Sequence, residues 1–246
     1  EQGSSGLGYI NFEKNYIYSF FALLLISSQS VFSAGYLATY SFQVSNPAAY
    51  IEAVDELMST EWGKSFPSVV AVHQYAFNGY DDATHVVVLN YDDPESVGYG
   101  TESFNDPIFQ SFLAKTASIA KPVEQTLNMK LISGGNEDPL KNQVYTIYRM
   151  QVKDPGSYAA AYSDVIEAQA EAGNIIGSYG LRQLVGGDSR YYTHYAYFSA
   201  GSIGEQLSSS EALFSSDSYA TFAQEVGENR RIMNVSTLVN LVTYNN

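Results

Sequence analysis

The amino-acid sequence predicts an α+β fold built from two tandem copies of one unit: strand, helix, strand, strand, helix, strand. Three observations predict it. The stretch "YSFQVSNPAAY" (Tyr40–Tyr50) aligns without a gap to "YRMQVKDPGSY" (Tyr148–Tyr158). Each stretch is followed by apolar residues at helical spacing, and then by two β-rich runs joined by a Gly/Asp turn. Two of the three histidines, His85 and His194, recur as Thr-His pairs at the same place in those runs.

The elements follow in order. The aligned stretches open with strand-like alternation and close on Asn46-Pro47 and Asp154-Pro155. These are matching helix starts, because the cap side chain accepts a free backbone N–H and proline has none to lose. Helical spacing then places Tyr50, Val54, Leu57 and Met58 in the first copy opposite Tyr158, Tyr162, Val165 and Ile166 in the second. Next, "SVVAVHQYAFNGYDDATHVVVLNY" matches "GSYGLRQLVGGDSRYYTHYAYFSA", a hairpin in each copy, with His73-Gln74 opposite Arg182-Gln183. A second helix carries Phe109, Phe112 and Leu113 in one copy and Tyr219, Phe222 and Ala223 in the other. The last strands are "TLNMKLIS" and "LVNLVT". The repeats span 35–133 and 143–246, with a polar linker at 134–142. This element order is the ferredoxin-like split βαβ arrangement.

In element order, length and duplication, residues 36–246 resemble the dimeric α/β-barrel superfamily, which includes antibiotic-biosynthesis-type monooxygenases and NIPSNAP-like and EthD-like proteins. The resemblance implies two sheets packed face to face as an α/β barrel with helices outside, here within one chain. Strand polarity supports this separately. Tyr40, Phe42 and Val44, like Tyr148, Met150 and Val152, make an apolar face suited to helices. The opposite faces carry Thr39, Ser41 and Gln43, and Ile147, Arg149 and Gln151. Glutamine and arginine there are expected to face a lumen holding water or a polar ligand, because unpartnered burial is costly.

Composition narrows the function classes. A net charge of −14 with only 12 Lys and Arg argues against nucleic acid as a partner, which demands clustered cations. The absence of cysteine excludes disulfides, zinc-thiolate sites and thiol nucleophiles. Residues 14–34, "KNYIYSFFALLLISSQSVFSA", place a lysine before an apolar run from Ile17 to Ile26 and end in small residues. That layout predicts a secretory signal peptide and a secreted or periplasmic protein. The apolar run falls short of the about 20 residues a membrane helix needs, so no stable span is expected after cleavage. Residues 1–9 are set aside as tag or upstream sequence.

The candidate catalytic residues are His85, His194 and His73, since histidine moves protons near neutral pH. A strand Thr-His can equally satisfy a local hydrogen bond, and duplication copies structural residues too. Arg149, Arg182, Gln43 and Gln151 are candidate ligand-binding residues, the arginines for a carboxylate. No metal site is expected, and the acidic runs at 81–82 and 91–96 read as solvated turns. Haem-binding chlorite dismutase-like proteins are among the relatives, but none of their residue pattern is matched here, so no cofactor is expected. No P-loop, dinucleotide fingerprint, HExxH or nucleophile elbow occurs. Two readings stay open: a small-molecule-binding barrel using a lumen histidine in cofactor-independent monooxygenase or isomerase chemistry, and a non-catalytic binding or structural protein. Monomer and homo-oligomer are both compatible with the sequence.

Overall fold

The computed structural model describes residues 35–245; the predicted export segment at 14–34 and the residues before it lie outside the described residues. The first repeat runs β1 (Tyr36–Val44), α1 (Pro47–Ser59), α2 (Glu61–Ser65), β2 (Val69–Phe77), β3 (His85–Tyr91), α3 (Pro94–Ser103), α4 (Pro107–Thr116) and β4 (Ala120–Gly135). A single 3-10 turn at Pro139–Lys141 leads to the second, β5 (Val144–Val152), α5 (Pro155–Glu171), β6 (Ser178–Gly186), β7 (His194–Ala200), α6 (Ile203–Phe214), α7 (Asp217–Val226) and β8 (Arg230–Tyr244). The strands close into one antiparallel barrel in the order β1-β3-β2-β8-β5-β7-β6-β4.

The paired helix starts form as their chemistry requires. Asn46 accepts from Ala49 N, Asp154 accepts from Gly156 N and Ser157 N, and a proline occupies the first turn of each helix. Two differences from the sequence reading have local causes. The second helix of each repeat is interrupted, because Asp106-Pro107 and Ser216 each supply a fresh N-cap that restarts it. The last strands are much longer than their apolar cores. β4 pairs with β1 of its own repeat through Ala120–Met129 and with β6 of the other through Leu127–Gly135. β8 likewise pairs with β5 and then with β2. These two strand exchanges turn two four-stranded sheets into one ring.

The hydrophobic core lies outside that ring, in two separate layers between helices and sheet. In the first repeat Tyr50, Val54, Leu57 and Met58 pack on Val70, Val72 and Leu89. In the second, Tyr158, Tyr162, Val165 and Ile166 pack on Met150, Leu181 and Phe198. Trp62 closes the first layer, stacked on Phe66 at 4.7 Å and Phe109 at 5.0 Å, its indole N–H donating to Ser103 O at 3.0 Å. With the apolar side chains spent on the helices, the inner faces are left to line a lumen, as eight-stranded barrels of this size permit.

Candidate functional site in the barrel lumen

The lumen is a cavity of about 730 Å³, entered beside the linker, where Ser133, Glu137, Pro139 and Thr243 form an exposed rim. Its wall is asymmetric despite the duplication. The first repeat contributes Leu37, Val69, Ala71, Val86 and Val88. The second contributes Tyr145, Tyr195, Tyr197, Arg149 and Arg182. An aliphatic patch on β1, β2 and β3 thus faces a cluster of tyrosines and arginines, although the first repeat also brings His73, Tyr75, Asn90 and Lys130 to the wall and the second Ile147 and Leu238.

The far end is closed by polar contacts that reach across the interior. Arg149 on β5 pairs with Glu124 on β4 at 2.9 Å, two strands that are not neighbours in the ring. Tyr192, fully buried, bonds Thr126 and Asn128 at 3.1 Å each, and Thr39 meets Thr126 at 2.6 Å. The hydroxyl and amide groups satisfy one another and the Arg149–Glu124 contact is an ion pair without a hydrogen bond to Glu124 Oε2, so this end is a structural floor.

The three histidines divide. His73 on β2 lines the cavity, its ring edge-on to Tyr145 with centroids 5.3 Å apart. Its Nδ1 is buried without a hydrogen-bond partner among the described residues, and burial pushes its pKa down to about 4, so the imidazole is neutral at pH 7. His85 and His194 lie on the opposite face of their strands, in register with Phe42 and Met150 under the helices. Each is fixed by its preceding threonine: Thr84 Oγ1 to His85 Nδ1 at 2.9 Å, Thr193 Oγ1 to His194 Nδ1 at 3.0 Å. The same hydroxyls accept from the backbone N–H of Val44 (2.9 Å) and Val152 (3.0 Å). The Thr-His pairs therefore staple each hairpin to the first strand of its repeat, and neither imidazole reaches the lumen. Burial lowers both pKa values.

The other sequence candidates divide in the same way. Arg182 lines the cavity and is almost completely buried, at 3% exposure. Arg149 lines it too but is committed to Glu124. Gln43 and Gln151 are not brought to the cavity. Gln43 is solvent-exposed near the end of β1, and Gln151 donates to Ser189 O (2.7 Å) and Arg190 O (3.1 Å), holding the β6–β7 loop. Sequence reasoning missed Lys130, Tyr145, Tyr195 and Tyr197. The available signal was the lack of internal symmetry, since Lys130 stands where the second copy has Asn240 and the tyrosines where the first has Leu37, Val86 and Val88. No group of three or more His, Cys, Asp or Glu suited to a metal occurs among the described residues. Nor is any helix among them long and apolar enough to cross a membrane.

No protein-family model matches the sequence, and no curated protein matches it. Solved structures do share the fold. A candidate monooxygenase from Lactobacillus acidophilus superposes with a TM-score of 0.58 at 9% identity, over 86% of this chain and 96% of that one. A candidate monooxygenase from Fusobacterium nucleatum gives 0.57 at 14% identity, over 87% and 95%. An anthrone oxidase-like protein gives 0.56 at 11% identity, over 86% and 93%. What the chain shares with them is the fold, an eight-stranded antiparallel α/β barrel, formed here by two repeats of a single chain. At such identities the likeness concerns the fold alone.

Proposed function

We propose that the chain is an exported small-molecule-binding barrel that holds its ligand in the lumen against His73. The observation that carries this reading is the neutral, buried imidazole with an unpartnered Nδ1, lining a cavity of about 730 Å³. An orphaned ring nitrogen costs stability, and a small turn of the ring toward a ligand donor or acceptor in the lumen recovers that cost. The volume falls within the range of small-molecule sites, and the lining, more polar than most, offers many groups that can orient a ligand. Export rests on the sequence of residues 14–34. The test is titration of the protein with 2-naphthol, a planar phenol that fits this chemistry, followed by saturation-transfer NMR. Saturable binding that weakens in His73→Gln supports the reading. Absence of saturable binding by phenols and aromatic acids alike overturns it.

Oxygenase chemistry at the same site is the second reading, favoured by the fold shared with candidate monooxygenases and an anthrone oxidase-like protein. His73 would then take a proton from an activated phenol or carbonyl compound. A base whose conjugate acid has a pKa of about 4 is poorly matched to that task at pH 7, so binding is the leading reading. Oxygen uptake in the presence of anthrone, compared between wild type and His73→Gln, separates the two. Uptake that depends on His73 would establish catalysis.

A further inference from the structure

Lys130 and Arg182 occupy directly opposed positions on the neighbouring strands β4 and β6, and both line the lumen. Like charges directly across an antiparallel pair repel each other. Neither has a carboxylate within salt-bridge distance among the described residues; the lumen's own ion pair uses Arg149 and Glu124 instead. Lys130 donates only to Tyr91 O, at 3.3 Å. Burial and then the neighbouring guanidinium depress its pKa, with Asp92 opposing them weakly.

The guanidinium of Arg182 is held in place rather than free. Nη1 donates to the carbonyls of Ile132 and Leu181, and Nη2 to the Tyr197 hydroxyl at 3.0 Å. Those three bonds leave the Nε hydrogen, which is buried with no partner, and one Nη2 hydrogen. Gly180 makes this placement possible, because a Cβ there would lie 2.5 Å from Arg182 Nη1 and 2.7 Å from Ile132 O. The second repeat thus holds a preorganised cation with unused donors beside a second cation. The equivalent positions elsewhere in the duplicated barrel are His73 and Asn240.

We infer that Lys130 and Arg182 form a carboxylate seat in the lumen, and that the ligand is an amphiphilic acid whose apolar body lies along Leu37, Val86 and Val88. The inference rests on the lumen being the binding site and deepens that reading by naming the ligand's charged group. A carboxylate suits the arrangement because one of its oxygens can take the remaining Nη2 hydrogen of Arg182 while the Lys130 ammonium meets the other, each as a charge-assisted contact. Leu37, Val86 and Val88 give the rest of the molecule an aliphatic surface to lie against.

The test compares 2-naphthoate with its uncharged twin, 2-naphthalenemethanol, by calorimetric titration, with inorganic phosphate as a third arm. The expected result is at least about tenfold tighter binding of the carboxylate, the gain of one charge-assisted contact. That preference should vanish in Arg182→Gln and in Lys130→Met. Because the Arg182 variant loses backbone contacts and can fail to fold, Lys130→Met is the decisive one. It is also expected to unfold at a higher urea concentration than wild type when no ligand is present, since it removes a like-charge pair. Equal binding of acid and alcohol overturns the seat while leaving the lumen site intact. Binding of neither, with 2-naphthol also failing, overturns the lumen reading and the seat together. Phosphate competing as strongly as naphthoate shows an adventitious ion only and overturns the amphiphilic-acid ligand.

Discussion

Lowering the pH should destabilise the barrel through His73. Its pKa in the folded protein is about 4, against 6.5 for the unperturbed side chain. The neutral form is therefore favoured by folding. The unfolded chain takes up its proton first as the pH falls, so stability present above pH 6.5 is lost progressively down to about pH 4. Linkage gives about 2 kcal/mol lost at pH 5 and about 3 kcal/mol at pH 4 from this one group. His85 and His194 are shifted the same way and steepen the overall loss, so the group must be isolated by difference. Urea unfolding followed by far-UV circular dichroism at pH 7, 5 and 4, on wild type and His73→Gln, supplies that difference. The variant should be less sensitive to acid by about 2 kcal/mol at pH 5, whatever its stability at pH 7. Identical acid sensitivity of the two proteins would refute the placement of a buried, neutral imidazole in the lumen.

Other consequences of the structure are open to the same assay. Glu124→Gln strands Arg149 in the floor of the lumen and should cost about 1–3 kcal/mol, below the cost for a fully buried pair because both side chains keep some solvent access. Adding Arg149→Met should restore much of the loss in a double-mutant cycle, and a simply additive result would show that the pair does not couple. Thr193→Val removes the acceptor for Val152 N–H and should lower stability by about 1–2 kcal/mol without changing ligand affinity, as should Thr84→Val in the first repeat. Trp62→Ala opens the stack with Phe66 and Phe109 and should cost about 3–5 kcal/mol; a loss under about 1 kcal/mol would mean that the layer collapses around the gap.

The duplication was legible because its punctuation is chemical: Asn46-Pro47 and Asp154-Pro155 can do little else than start a helix, and they set the register of everything between them. The inner faces of β1 and β5 were legible in part, since Thr39, Ser41 and Arg149 contrast with the aromatic and aliphatic residues beside them, whereas Gln43 and Gln151, read the same way, do not reach the cavity. β3 and β7 offered no such contrast. In β3 one face meets helices and the other the apolar lumen wall, so alternation carried no information about His85. In β7 the lumen face is Tyr195 and Tyr197, which read as core as readily as Ala196 and Phe198. Lys130 was illegible for a different reason. Alone in "TLNMKLIS" it reads as a lysine extending its stem over apolar surface. Its meaning comes from standing opposite Arg182, and that pairing is set by where β4 crosses from one repeat to the other, which no local pattern encodes. The distinction between Arg149 and Arg182 is equally non-local, since only the closed ring brings Glu124 to one and leaves the other without an acid.

The exchange of β4 and β8 between repeats also governs how the chain must be made. Tyr244 of β8 pairs with Val70 in the first repeat, so β2 waits for its second neighbour until the second repeat has been made. Until then the first repeat carries two unpaired sheet edges, which are templates for misassembly with other chains. Contacts so distant in sequence make folding slow. A ring that closes only with β8 stays open while the second repeat is being made, and chaperones that shield strand edges should matter more to its yield than to that of a protein whose halves complete themselves separately. Cutting the chain at the linker would accordingly give two sticky fragments, each able to recover a ring only by finding another half.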